Sequence, residues 1–125
     1  MVDPYSRMQR AVQALRALDP RTHEPFFGLV LGSGLGDVVS ALTDARIIPY
    51  AQIPDFPGTT VVGHHGQLCI GRLEGRLVVA CQGRAHLYEG HDTNTVVHPI
   101  RTLVSLGAVA VLVTNAAGGV NRSFG

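Results

Sequence analysis

The sequence predicts an α/β fold with a mixed, largely buried sheet flanked by helices, and three observations carry that expectation. Predominantly apolar, β-rich runs of strand length occur at 26–31, 77–82 and 108–114. They do not alternate with polar residues, as strands covered on both faces need not. The stretches 6–18 and 93–106 carry helical spacing, so strands and helices of crossover length succeed one another as α/β folds require.

Each element has its own signal. Met8, Val12, Leu15 and Leu18 recur at steps of three and four, with arginines elsewhere and Asp19-Pro20 as a stop, which predicts an amphipathic helix over 6–18. The run 26–31 leads into Gly32-Ser33-Gly34-Leu35-Gly36 and then into Val38, Val39 and Leu42, which reads as strand, glycine turn and helix. A short strand is expected at 45–50 and a Pro/Gly-rich loop at 53–66. Residues 68–73 and 77–82 form a hairpin around Glu74-Gly75. A helix over 93–106, with Pro99 as an awkward interior residue, ends at Gly107 and precedes a buried strand over 108–114. The glycine-rich stretch 115–125 follows a strand with no closing element, so residues 1–125 read as the N-terminal part of a single, truncated domain.

Composition excludes several functions. Hydrophobic residues make up 46% and charged residues 15% of 125, too apolar for disorder, and no apolar run approaches the length needed to span a bilayer. The expectation is a soluble protein without a membrane partner. All ten basic residues are scattered arginines, so nucleic acid is not an expected partner. The absence of lysine rules out a P-loop lysine or a Schiff-base lysine within these residues. Cys69 and Cys81 lie in strand-like runs without a CxxC pair, which favours a reduced, cytoplasmic setting.

Four motifs can carry chemistry. A glycine turn ahead of a helix points backbone N–H groups into one concavity, so Gly32 to Gly36 suits an anion, although it serves equally as a tight turn. If extended, 83–90 sends Arg84, His86 and Tyr88 to one side, a planar cation, a titratable donor and an amphipathic ring; solvated side chains at a strand end are the plain alternative. Gly63-His64-His65-Gly66 can bring a histidine to an anion or sugar, or form an ordinary surface loop. As adjacent metal ligands the two histidines diverge, and no metal is expected. The small residues Ala116, Ala117 and Gly118 after the last strand let a ligand approach the main chain, or simply turn it. His91 and His98 have no supporting motif and read as solvated or packed.

Taken in order, the segments 31–36, 53–57, 62–64, 82–90 and 113–119 closely resemble the trimeric purine nucleoside phosphorylases, from about residue 26 onward. The resemblance implies a nucleoside phosphorylase-like fold and phosphate attack on C1′ of a purine nucleoside. It places Ser33, His64, Arg84, His86 and the Ala116 backbone around phosphate, with His86 catalytic. Tyr88, Ala117 and Gly118 would bind the nucleoside. Inorganic phosphate is then a co-substrate, with no cofactor or metal, and a homotrimer is expected. The family's purine-recognising residues lie beyond residue 125, so this chain alone is expected to be inactive. The alternatives are a methylthioadenosine phosphorylase and a non-catalytic phosphate-binding fragment.

Overall fold

The computed structural model describes residues 3–31, 36–56, 66–82 and 93–114. Helix α1, Pro4–Leu18, begins two residues ahead of the expected start because Asp3 caps it, accepting from the Ser6 backbone N–H at 2.9 Å, with Pro4 in the first turn. Its buried stripe is Ala11, Val12 and Leu15. A 3₁₀ turn, Pro20–His23, leads to β1, Phe26–Leu31, and α2, Gly36–Ser40, is a single short helix. Next come β2, Thr43–Pro49, a 3₁₀ turn at Tyr50–Gln52, and the hairpin of β3, Gln67–Leu73, and β4, Arg76–Gln82. Glu74 and Gly75 both adopt positive φ at the turn, as a two-residue hairpin loop requires. Helix α3, Thr93–Leu106, contains Pro99 without being split, and β5 is Ala108–Val113.

The five strands form one mixed sheet in the order β2-β3-β4-β1-β5. β1 pairs parallel with both β4 and β5, whereas β2, β3 and β4 pair antiparallel. One face packs under α1 and α3, where Leu15, Leu103 and Leu106 meet Phe26, Val30, Val79 and Cys81. On the other face Leu42, Val38 and Val39 cover Leu31, Cys69 and Ala80. Cys69 sits opposite Ala80 and Cys81 opposite Leu68, so the two thiols project from opposite faces of the sheet and cannot bond to each other. Both are free and buried.

One expectation is corrected. The run 108–114 reads as a buried strand, but β5 is an edge strand with Val109 62%, Leu112 60% and Val113 43% exposed. Its apolar side chains are covered only where α3 and β1 reach them. The sheet is therefore less completely buried than the sequence predicts.

At the amino end of β1, Asp19 is 4% exposed and its carboxylate accepts from the Arg21 guanidinium at 2.8 Å. These charge-assisted bonds from Arg21 hold the Asp19 carboxyl below the usual carboxylate range despite its burial. The same guanidinium donates to the Asp44 carbonyl at 3.0 Å, tying the turn before β1 to β2. No helix among the described residues is long and apolar enough to cross a membrane.

Gly71 is a position where only glycine fits. A Cβ there would lie 2.9 Å from Leu42 Cβ and 3.0 Å from the Thr43 carbonyl oxygen, because the bulged start of β2 presses onto β3. Gly71→Ala is expected to destabilise the fold by about 1–3 kcal/mol in urea unfolding, the usual range for overpacking. An unchanged midpoint would show that β2 moves aside freely.

Candidate functional site

The parallel ladders bring three strand ends to one edge. Leu31, at the end of β1, stands opposite Gln82, at the end of β4. On the other side Val30 stands opposite Val113, and both the Thr114 backbone N–H and its hydroxyl donate to the Val30 carbonyl, at 2.9 and 3.2 Å. Because β3 runs antiparallel to β4, its first residue, Gln67, also lies at this edge, and its side-chain amide donates to the Gln82 side chain at 2.8 Å. Strands are spaced about 4.8 Å apart, so these four points span about 15 Å.

Ser33, His64, Arg84, His86, Tyr88, Ala116, Ala117 and Gly118 all lie outside the described residues, as does His91. Their points of attachment do not. Ser33 follows Leu31 by two residues, Arg84 follows Gln82 by two, Ala116 follows Thr114 by two, and His64 precedes Gly66 by two. All four points of attachment lie at the same edge. The carboxyl edge of parallel strands is where open α/β sheets bind ligands.

The chain on one flank of this edge is mounted on an aromatic stack that sequence reasoning did not anticipate. Tyr50, Phe56 and His98 contact one another edge to face, with ring centroids 5.1 Å apart for Tyr50 and Phe56 and 5.3 Å apart for Phe56 and His98. The Tyr50 N–H donates to the Gly66 carbonyl at 2.9 Å, and His98 Nε2 lies 3.1 Å from the Pro54 carbonyl oxygen. Arg10 of α1 pairs with Asp55 at 2.7 Å, which adds little net energy at a half-exposed position but fixes direction. Both sides of 57–65 are thus held by the core. His98 lies 44 residues from Pro54, so no local pattern could have revealed the contact.

Near this edge the buried groups Cys69, Cys81, Tyr50 and His98 are held uncharged. Burial pushes the Cys81 thiol up to about 12 and raises Cys69 as well, so neither is a thiolate nucleophile or ready metal ligand at neutral pH. Burial also raises the Tyr50 phenol and lowers His98, the latter opposed by the Pro54 carbonyl and the Asp55 charge. The neutral imidazole therefore donates from Nε2 to Pro54. Among the described residues no group of His, Cys, Asp and Glu could hold a metal ion.

Comparison with known proteins agrees with this arrangement. The family model described as the phosphorylase superfamily matches residues 26–125. Purine nucleoside phosphorylase 1 of Geobacillus stearothermophilus is 49% identical over 117 residues, which are 94% of this chain and 42% of the relative. A solved purine nucleoside phosphorylase of Schistosoma mansoni in complex with inosine superposes with a TM-score of 0.84 at 41% identity, covering 98% of this chain and 42% of that one. Isoform 2 from the same organism, in complex with cytosine and ribose-1-phosphate, gives 0.84 at 40% identity, with 98% and 42% covered. The chain spans less than half the length of these relatives.

Two outcomes follow from the stack. The Tyr50 hydroxyl is buried beside the Cys81 thiol, a weak acceptor, without a well-formed hydrogen bond. Tyr50→Phe is expected to stabilise the protein by about 1 kcal/mol, whereas Tyr50→Ala costs about 3–5 kcal/mol, both read from urea midpoints. His98 in the native state titrates below its ordinary value of about 6.5, so between those two values the unfolded chain binds more protons. Its contribution to stability is complete above about pH 6.5 and is lost as pH falls through the lowered native value. Urea unfolding across that window should show stability rising with pH, and His98→Phe should flatten the rise. Equal slopes in both proteins would remove His98 from the account.

Proposed function

The chain belongs to the phosphorylase superfamily, and we propose that it is the phosphate- and ribose-binding portion of a purine nucleoside phosphorylase. The observation that carries this reading is the convergence of the described strand ends at Leu31, Gln82 and Thr114, with Gln67 beside them, each leading to a motif residue. The inosine and ribose-1-phosphate complexes of the Schistosoma mansoni neighbours support a purine ribonucleoside as substrate.

In this reading Ser33, His64, Arg84, His86 and the Ala116 backbone surround phosphate, while Tyr88, Ala117 and Gly118 meet the nucleoside. Arg84 supplies a permanent charge and a planar fork, and His86 is the catalytic donor that steadies the phosphate as it reacts. Fixed donors offset the desolvation of phosphate beneath the sugar and aim one of its oxygens at C1′ as that carbon becomes oxocarbenium-like. The C1′–O bond forms, the C1′–N bond breaks with its electron pair passing to the base, and a proton taken up by the base completes release of purine and ribose 1-phosphate. Groups that hold the departing base belong to the portion of the relatives that this chain does not match. A cytoplasmic homotrimer is the proposed working form of the whole enzyme. The partial coverage of the relatives supports one second reading, phosphate binding without turnover by these 125 residues alone.

The test is the phosphate dependence of inosine cleavage in a phosphorylase carrying this sequence. Arg84→Ala should weaken phosphate use by at least about tenfold, since a hydrogen bond to a charged group contributes roughly 1.5–3 kcal/mol. Arg84→Lys should restore only part of it, and Leu87→Ala should change little. An unchanged apparent phosphate affinity in Arg84→Ala would remove Arg84 from the site.

A further inference from the structure

The last row of side chains at the candidate site differs from the rows behind it. On the face where Val38 and Val39 pack, Cys69, Ala80 and Leu29 stand side by side across β3, β4 and β1, and behind them stand Gly71, Val78 and Phe27. Neither row carries an amide, a hydroxyl or a charge. The final row, Gln67, Gln82 and Leu31, faces the same way by the alternation of strand side chains, and it carries two amides.

These amides bond to each other. Gln67 Nε2 donates to Gln82 Oε1 at 2.8 Å, and the same nitrogen lies 3.8 Å from Cys69 Sγ, a weak acceptor two residues along its own strand. Glutamine is among the side chains that lose most rotamer freedom when fixed, so a bridge between two of them is a costly way to end a ladder that backbone bonds already close. What the bridge adds is a fixed spacing. β3 and β4 are antiparallel, so the chain enters β3 where it leaves β4. On the far side of β3 the Tyr50 N–H donates to the Gly66 carbonyl at 2.9 Å, so the entry to β3 is held on both sides.

We propose that Gln67 and Gln82 are a positioning pair for phosphate, their amide bridge setting the separation of the two stems from which the chain runs to His64 and to Arg84. The proposal rests on the phosphorylase reading, which gives those two residues to phosphate. His64 precedes Gln67 by three residues and Arg84 follows Gln82 by two. Neither glutamine has to touch the ligand. Donors to an anion are worth most when their spacing is set in advance, and a misplacement of about 1 Å can cost up to about a hundredfold in rate.

The test uses a phosphorylase carrying this sequence, with inorganic phosphate as the probe. Methionine keeps the length of glutamine and removes its amide. Gln67→Met and Gln82→Met should each raise the KM for phosphate, and its Kd by calorimetry, by roughly three- to tenfold, the loss expected for one hydrogen bond, while the KM for inosine stays within about twofold. The double variant removes the same bond once, so it should weaken phosphate no more than either single variant does, a coupling that independent side chains do not show. In the unaltered protein, phosphate should shift the side-chain amide NMR signals of both glutamines, a measurement that needs no variant to fold. Phosphate and inosine constants that move together, additive effects in the double variant, phosphate affinity that only follows the urea midpoint, or amide signals indifferent to phosphate would each overturn the role of the pair. If Arg84→Ala weakens phosphate while the glutamine variants leave it unchanged, this inference falls and the phosphorylase reading stands. If the pair responds to phosphate as expected and inosine is not cleaved, the enzymatic reading falls and the role of the pair stands.

Discussion

The organising constraint is that β1 is hydrogen-bonded in parallel on both sides, to β4 and to β5. Parallel strands must start at one edge of a sheet and finish at the other, so three separate stretches of sequence end side by side whatever lies between them. The β3–β4 hairpin adds a fourth, because an antiparallel partner begins where β4 stops. If β1 were antiparallel to either neighbour, the segments after Leu31, Gln82 and Thr114 would leave from opposite ends of the molecule and could share no ligand. The apolar packing of α1 and α3 on one face enforces this arrangement, since a one-residue slip of β1 would turn Phe26 and Val30 away from that core.

Around that ladder, charged and neutral groups are allotted to opposite ends of the strands. The amino end of β1 is tied down by the buried Asp19 carboxylate and Arg21, which reaches across to the main chain of β2. The carboxyl end is built from backbone and neutral groups: paired glutamine amides, a threonine donating to Val30, and the Tyr50, Phe56 and His98 rings. Among the described residues the sheet is equally asymmetric from side to side, with a bulged, charged β2 edge and an apolar, half-exposed β5 edge.

How much of this the sequence carries depends on the distance over which each signal acts. The helices, strands and hairpin turn are local, and Glu74-Gly75 with its flanking apolar runs is enough to define β3 and β4. Helix α1 starts two residues ahead of its apolar spacing because Asp3-Pro4 supplies a cap that periodicity does not register. The apolar run of β5 reads as buried because a strand apolar on both faces looks identical whether its cover is present or absent. Leu112 and Val30 have equivalent composition, yet one is exposed and the other buried.

By itself, then, the sequence determined the element order, the α/β class and membership of a family, because each depends on neighbours a few residues apart or on the order of motifs along the chain. Only the tertiary structure decided that the strand ends at Leu31, Gln82 and Thr114 share one sheet edge, that Cys69 and Cys81 face away from each other, that His98 meets Pro54, and that Val109 and Leu112 of β5 are exposed. Each of these is set by strand direction, register and packing between residues tens of positions apart, and the free energy of such contacts depends on which surfaces meet in space, which no local pattern encodes.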